Sequence, residues 1–162
     1  MEKGFIVCID DEPAVLETLR EQLLRFFGGS HEVELATTGE EGLNLIKDIM
    51  SEGGSVEVVI TDQVMPGLKG DEVLEEVHKM LPETIKILLT GQAGLKDAID
   101  AVNRGGLNLY VEKPWNMDEI HVDIERLIMR YRENVENHRL LRQLEERVKE
   151  LEIQMEGFDL KD

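Results

Sequence analysis

Apolar residues along the first two thirds of the chain alternate between short continuous runs and stretches with helical spacing. The runs predict β-strands over residues 4–9, 56–61, 85–89 and 109–111, and alternation of apolar and polar residues predicts another over residues 32–37. Between them, apolar residues recur every three or four positions and predict helices over residues 13–27, 39–50, 70–80 and 94–104. Strands and helices that alternate in this way are typical of an α/β fold with a doubly wound, five-stranded parallel sheet.

Helical spacing continues from residue 118 towards the end of the chain, and no further strand is predicted there. The apolar positions are Ile120, Ile124, Leu127 and Tyr131, followed by Leu141, Leu144, Val148, Leu151 and Met155. One helix over residues 118–156 would be roughly 58 Å long at about 1.5 Å per residue. Because the predicted domain cannot cover that length, we expect the outer half to be bare, frayed or paired with another helix.

The last five of these residues, which we call the seam, fit the a and d positions of a coiled coil. This register puts Arg147 at g and Glu152 at the next e, an attractive pair in a parallel dimer. The heptad phase slips by three residues near Leu144, and such a slip locally overwinds a coiled coil. A solvated charged helix is the alternative, but an uncovered apolar seam favours a coiled-coil homodimer.

The chain has 162 residues and a formal charge of −17, because 35 acidic side chains outnumber 18 basic ones. Residues 1–129 carry 26 acidic and 11 basic side chains, whereas residues 130–156 carry seven acidic and six basic ones. The shift agrees with a domain over residues 1–126 and an extended helical linker over residues 127–162. The acidic excess argues against direct nucleic acid binding, which needs a basic surface, and is compatible with a divalent cation site.

The sequence also indicates the cellular compartment in which we expect the protein to act. It has neither an apolar run of about 20 residues, the length of a membrane span, nor a signal peptide at its start. The single cysteine, Cys8, excludes an internal disulfide. We therefore expect a cytoplasmic protein that does not enter a membrane.

Charged or hydroxyl side chains lie at the ends of four predicted strands. Asp10 and Asp11 follow the first strand, Asp62 the third, Thr90 the fourth, and Lys113 comes shortly after the fifth. Because parallel strands end at one edge of a sheet, these side chains should converge there. Two carboxylates 4 Å apart repel by about 4 kcal/mol near a surface, and a Mg²⁺ ion would relieve this through oxygen ligands. One carboxylate could then act as a nucleophile and form an aspartyl phosphate.

Four short motifs at these strand ends resemble the receiver domain of two-component response regulators. They are CIDDEP at 8–13, TDQVMPG at 61–67, LLTG at 88–91 and EKP at 112–114. The resemblance extends over residues 4–126, and it implies a flavodoxin-like (βα)5 fold. The sequence departs from the family pattern at Lys69, where an aspartate is common.

The resemblance assigns roles to the acidic residues. It implies that Asp62 is the phosphoacceptor and that Asp10, Asp11 and Asp62 bind Mg²⁺ together with the backbone carbonyl of Val64. Val64 and Gln92 occupy positions that vary among receivers and tend to set the lifetime of the phosphoryl group. Since valine has no acid or amide to orient an attacking water, slow hydrolysis is expected.

The remaining strand-end residues are implied to form the switch. Thr90 would be the switch hydroxyl, Lys113 would pair with the phosphoryl group, and Tyr110 would be the switch aromatic. These roles would make Asp62, Thr90 and Lys113 the reactive set. In this family the peptide bond after the lysine, here Lys113–Pro114, is commonly cis.

The resemblance also implies a partner and a function. A sensor histidine kinase would phosphorylate Asp62, and the coiled coil would pass the switch to an output domain beyond residue 162 or to a partner. Such a receiver is not an enzyme, apart from its own phosphorylation and dephosphorylation. The alternative is a Mg²⁺-dependent aspartyl-phosphate phosphatase for a small phosphorylated substrate. That enzyme would need an acid two residues after Asp62, where Val64 stands.

Overall fold

Five parallel strands form one sheet in the computed structural model, which describes residues 3–91 and 95–159. The strands are β1 (Gly4–Ile9), β2 (His31–Ala36), β3 (Val56–Thr61), β4 (Ile85–Thr90) and β5 (Leu109–Glu112). The helices are α1 (Pro13–Phe27), α2 (Gly39–Ser51), α3 (Gly70–Met80), α4 (Leu95–Gly105) and α5 (Met117–Asp159). The predicted α/β fold with a five-stranded parallel sheet and a long last helix is therefore confirmed.

The predicted boundaries differ from the observed ones by at most three residues at either end of an element. β4 and β5 each extend one residue further than predicted, since Thr90 and Glu112 still pair across the two strands. Polar side chains at these strand ends interrupt the apolar pattern without interrupting the backbone pairing. The predicted start of the fourth helix, at Gly94, lies outside the described residues.

The strand order, β2-β1-β3-β4-β5, determines where a ligand can bind. The chain passes from β1 to β2 in one direction and from β2 across to β3 on the other side of β1. This reversal opens a crevice at the carboxyl ends of β1 and β3, which is where doubly wound sheets bind their ligands. Asp10 directly follows β1 and Asp62 directly follows β3, so both residues lie at this crevice.

Burial explains why the strands differ in sequence pattern. Every residue of β3 and β4 is buried, and so is all of β1 except Phe5. The edge strand β2 alternates between buried and exposed residues along most of its length, because helices cover only part of it. Mostly apolar runs therefore mark the central strands, which also bury Glu57 and Lys86, and alternation marks the edge strand β2.

A buried polar pair, which the apolar pattern did not predict, lies at the opposite end of the sheet. His31 Nε2 and Glu57 Oε1 are 2.8 Å apart, and both residues are less than 9% exposed. Ser30 Oγ lies 2.8 Å from His31 Nδ1. Gly4 of β1 provides room for the pair, since a Cβ atom there would approach the Glu57 carboxylate to 2.6 Å. The pair links β2 to β3 across β1.

The structure divides into two units, residues 1–128 and residues 129–162, and α5 contributes to both. In the first unit, α1 packs against the start of α5 through stacked rings of Phe26 and His121, whose centroids are 4.0 Å apart. The indole N–H of Trp115 donates to the side chain of Gln22 on α1 at 2.6 Å. Within residues 3–91 and 95–159, no helix combines the length and the apolar character that crossing a bilayer requires.

The first residue of α3, Gly70, lies very close to the backbone of Asp62, the residue that follows β3. A Cβ atom at this position would collide with the backbone carbonyl of Asp62. We expect Gly70→Ala to lower the free energy of unfolding by about 1–3 kcal/mol, because backbone atoms must move to admit the methyl group. Urea denaturation of the whole chain measures this change.

The matched control for this substitution is Gly29→Ala. Gly29 is exposed, and no atom lies within 4 Å of the Cβ position there. Its substitution should change the free energy of unfolding by no more than about 0.5 kcal/mol. Equal effects of the two substitutions would show that the contact between Gly70 and Asp62 does not constrain the fold.

Candidate functional site

Backbone hydrogen bonds beyond the strand ends place the predicted site residues. The N–H of Asp62 donates to the carbonyl of Ile9 at 3.0 Å, and the N–H of Lys113 donates to the carbonyl of Thr90 at 3.1 Å. Both bonds continue the pairing of neighbouring strands by one residue. The sheet itself therefore orients the chain where the charged side chains begin.

Three acidic side chains meet at the crevice. Asp10, Asp11 and Asp62 each offer a carboxylate oxygen, and these oxygens all lie within 4.8 Å of one another. Asp10 and Asp62 are buried, with 3% and 8% of their surface exposed, whereas Asp11 is exposed. Their like charges repel, and the repulsion is stronger for buried groups because solvent screens it less.

Each buried carboxylate is held at both of its oxygens. Asp10 Oδ1 accepts from the N–H of Glu12 at 2.9 Å, and Asp62 Oδ1 accepts from the N–H of Gln63 at 2.8 Å. The Oδ2 atoms face Lys113, whose Nζ lies 2.8 Å from Asp10 and 3.5 Å from Asp62. One ammonium group therefore bridges the ends of β1 and β3.

The surroundings of Lys113 determine its protonation. Burial by itself lowers its pKa, but the hydrogen bond to Asp10 and the negative charges of Asp10 and Asp62 outweigh burial and raise it. The pKa of Lys113 is thus higher in the folded chain than in the unfolded chain, where it is about 10.5. The contact between Lys113 and the two aspartates therefore contributes its full stabilisation at every pH below that unfolded value. The contribution is lost only as the pH rises through the still higher pKa of the folded state, so Lys113 is charged at neutral pH.

An open cleft of about 400 Å³ lies over these groups. It is lined by Asp11, Glu12, Asp62, Val64, Thr90, Gly91 and Lys113. Thr90 is 1% exposed and Val64 is 64% exposed. The cleft thus brings three carboxylates, a hydroxyl group and an ammonium group around one open space.

The other residues predicted for the switch lie on and after β5. Tyr110 is half-buried and packs against the buried cluster that includes Val59, Leu74 and Leu88. The Lys113–Pro114 peptide bond is cis. Gln92, which was expected to influence the phosphoryl lifetime, lies outside the described residues.

Sequence reasoning missed a polar contact directly beside Asp62. Gln63 is 1% exposed, and its side-chain amide forms two hydrogen bonds with Asp71 at the start of α3. A signal for this contact was present in the sequence, because a polar side chain next to a buried strand needs a partner. The partner itself could not be identified before the strand and the helix were placed.

The five seam residues all lie on α5, in the second unit. They are Leu141, Leu144, Val148, Leu151 and Met155, and each is between 43% and 67% exposed. Arg147, expected to pair with Glu152 of a second chain, forms an ion pair with Glu150 of its own helix at 3.1 Å. The described residues therefore leave the seam uncovered.

Comparison with known sequences places these features in a family. The sequence profile of the response regulator receiver domain matches residues 6–125. Over 120 residues the chain is 36% identical to the uncharacterized transcriptional regulatory protein YkoG of Bacillus subtilis, covering 74% of this chain and 49% of YkoG. Over 133 residues it is 28% identical to the DNA-binding transcriptional regulator NtrC of Escherichia coli K12, covering 82% of this chain and 26% of NtrC. The chain thus spans about half, or less, of the length of these relatives.

Solved structures show the same similarity. A receiver domain protein described as CheY-like, from Methanospirillum hungatei JF-1, is 31% identical with a TM-score of 0.71, covering 82% of this chain and 99% of that one. A response regulator receiver domain protein from Clostridium thermocellum is 32% identical with a TM-score of 0.69, covering 80% and 97%. The similarity includes nearly all of each solved chain.

The bridging contact of Lys113 can be tested by its effect on stability. In buffer containing a chelator of divalent cations, we expect Lys113→Met to lower the free energy of unfolding by about 1–3 kcal/mol. The reason is that Asp10 and Asp62 would lose the cation between them. Lys79→Met is the control, since Lys79 forms only exposed ion pairs with Glu75 and Glu76, which contribute about 0.5 kcal/mol or less. Equal losses in both variants would contradict the bridging role.

Proposed function

Because the chain belongs to the response regulator receiver domain family, we propose that Asp62 accepts a phosphoryl group from a sensor histidine kinase. The observation that carries the proposal is the position of Asp62 in an open cleft, 3.5 Å from the ammonium group of Lys113. The carboxylate forms an O–P bond with the phosphoryl group as the N–P bond of a phosphohistidine breaks. The electron pair of the N–P bond stays on the imidazole, which takes up a proton from solvent and leaves as the neutral ring of the kinase histidine.

Asp10, Asp11 and Asp62 would hold a Mg²⁺ ion, with the backbone carbonyl of Val64 as a further ligand. The carboxylates fit this ion because they are oxygen donors within 4.8 Å of one another. When bound, the ion supplies positive charge against the oxygens of the phosphoryl group. Exposed Asp11 lies on the solvent side of the cluster, where an ion would enter.

Thr90 and Tyr110 would carry the switch. The phosphoryl group adds between one and two negative charges and three strong hydrogen-bond acceptors. We expect the hydroxyl of Thr90, which lines the cleft, to donate to one of these oxygens and Lys113 to pair with another. Tyr110, half-buried on β5, would then turn inward behind Thr90.

The site fits a signalling receiver better than a phosphatase that turns over a small substrate. An aspartyl-phosphate phosphatase needs a second acid to protonate the leaving group, and the residue two positions after Asp62 is Val64. Its exposed apolar side chain lines the cleft where that acid would act. We therefore propose a receiver whose only catalysis is its own phosphorylation and dephosphorylation.

The seam on α5 would form a coiled coil with a second copy of this chain. Its spacing of alternately three and four residues suits a parallel dimer, and the register would bring Arg147 of one copy near Glu152 of the other. Opposite charges at these positions favour a second copy over an unrelated helix. We propose that phosphorylation alters this pairing, since the helix that carries the seam begins only four residues after Lys113.

The signal would pass from the coiled coil to an output domain or a separate partner. The relatives named as transcriptional regulators are longer than this chain, which corresponds to 49% of YkoG and 26% of NtrC. The net charge of −17 opposes direct binding of nucleic acid by this chain. We propose that it acts in the cytoplasm, where sensor kinases present their phosphohistidine.

Phosphorylation can be tested without the kinase. The wild-type chain, incubated with Mg²⁺ and acetyl phosphate, should gain the mass of one phosphoryl group, because Asp62 is accessible from the cleft. Asp62→Asn should gain none, and chelation of Mg²⁺ should abolish the gain. Intact-mass spectrometry at neutral pH measures all three results.

Two results would count against the proposal. If Asp62→Asn is modified as fully as the wild-type chain, the acceptor is another residue. If the wild-type chain hydrolyses a generic phosphomonoester repeatedly, and Asp62→Asn does not, the protein is a phosphatase.

The dimer can be tested with two variants of the same helix. Leu151→Glu places a charge in the seam, whereas Ile153→Glu places one on the outer face, at a residue that is 67% exposed. We expect the wild-type chain and Ile153→Glu to be dimers and Leu151→Glu to be a monomer, because a buried unpaired charge opposes association. Light scattering at several concentrations gives the masses. A monomeric wild-type chain, or identical masses for both variants, would exclude the seam as the interface.

A further inference from the structure

The side chain of Gln63 connects the phosphoacceptor strand to the helix that follows it. Its Oε1 accepts from the N–H of Asp71 at 2.8 Å, and its Nε2 donates to Asp71 Oδ1 at 2.9 Å. The first of these bonds satisfies a backbone donor in the first turn of α3, where the helix itself supplies no acceptor. Gln63 is 1% exposed, so solvent does not compete for its amide.

The backbone of the same residue contacts Asp62 directly. The N–H of Gln63 donates to Asp62 Oδ1 at 2.8 Å, and its carbonyl accepts from the N–H of Gly70 at 3.1 Å. Gln63 therefore makes four hydrogen bonds, two through its side chain and two through its backbone. Together they close the loop of residues 64–69 at its base.

These contacts constrain the carboxylate of Asp62. With Oδ1 held by the Gln63 N–H, the group cannot rotate freely about its last bond, and Oδ2 is turned towards Lys113, 3.5 Å away. The carbonyl of Val64, a proposed metal ligand, belongs to the next residue along the chain. A shift of the Gln63 backbone would therefore move both the nucleophile and this carbonyl.

We propose that Gln63 is a positioning residue for phosphoryl transfer: its side-chain pair with Asp71 fixes the backbone N–H that orients Asp62. The inference rests on the proposed function of Asp62 and assigns part of that function to a side chain that does not line the cleft. We expect Gln63 to affect the rate of phosphoryl transfer to Asp62, because misplacement of a nucleophile by about 1 Å can slow a reaction roughly 100-fold.

Variants that remove or reverse the side-chain hydrogen bonding between Gln63 and Asp71 distinguish a positioning role from a packing role. Gln63→Leu keeps a similar volume but loses both side-chain hydrogen bonds. Gln63→Glu sets two carboxylates against each other. The double variant Gln63→Glu with Asp71→Asn keeps the bond from the backbone N–H of residue 71 and restores the side-chain hydrogen bond with donor and acceptor exchanged. It has the net charge of the wild-type chain. Glu76→Gln, at an exposed residue of α3, controls for a change of one unit in the net charge near this helix.

Three measurements on the whole chain are needed. The first is the rate constant for phosphorylation by acetyl phosphate at saturating Mg²⁺. The second is hydrogen exchange at the Gln63 amide in the absence of phosphodonor, and the third is the urea midpoint of unfolding. We expect Gln63→Leu and Gln63→Glu to be phosphorylated about tenfold more slowly, with faster exchange at residue 63. The double variant should recover most of the wild-type rate, and Glu76→Gln should match the wild-type chain.

Several outcomes would overturn the positioning role. A wild-type rate in Gln63→Leu would do so, and so would a double variant that is as slow as Gln63→Glu although its urea midpoint is restored. If Gln63→Leu does not fold, Asp71→Ala replaces it, because that variant removes the side-chain acceptor and leaves Gln63 in place. If the wild-type chain itself is not phosphorylated while exchange at residue 63 is slow, the function proposed for Asp62 fails, although the contact exists.

Discussion

The ammonium group of Lys113 lies between two buried carboxylates, and the site depends on this contact. Asp10 and Asp62 end neighbouring strands of the sheet, so the backbone pairing that forms the sheet also brings like charges together. With Asp11, three negative charges share one edge with one positive charge. A sheet edge with this imbalance is suited to bind a divalent cation and, once the cation is present, an anion. The acidic character of the domain therefore favours phosphate chemistry, although acidic residues alone would repel phosphate.

Three residues proposed for the switch lie on or next to consecutive elements in the second half of the chain. Thr90 ends β4, Tyr110 lies on β5, and Lys113 precedes α5 by four residues. A new charge on Asp62 would therefore act on consecutive elements of the second half of the chain. α5 carries the apolar seam, whose residues the described part of the chain leaves exposed. Under the proposed function, a change at the start of this helix reaches the seam through the continuous backbone of α5.

Most of the fold, and the convergence of strand-end side chains at one edge, could be predicted from the sequence, because both depend on local patterns. Mostly apolar runs marked the buried central strands, and the residues directly after them, such as Asp62, had to lie at the sheet edge. Contacts between distant residues could not be predicted in this way. The partner of Gln63 is Asp71, eight residues later and beyond a loop, and Trp115 bonds to Gln22, 93 residues earlier. Such pairs depend on three-dimensional placement, which composition and periodicity do not determine.

We propose that the carboxylates of this edge, which Lys113 neutralises only in part, hold a divalent cation. The most direct test is the free energy of unfolding as a function of Mg²⁺ concentration, compared between the wild-type chain and Asp11→Asn. We expect Mg²⁺ to stabilise the wild-type chain by about 2.7 kcal/mol at 100 times its dissociation constant, and we expect Asp11→Asn to gain far less at the same concentration. An unfolding free energy that does not respond to Mg²⁺, or that rises equally in both proteins, would contradict it.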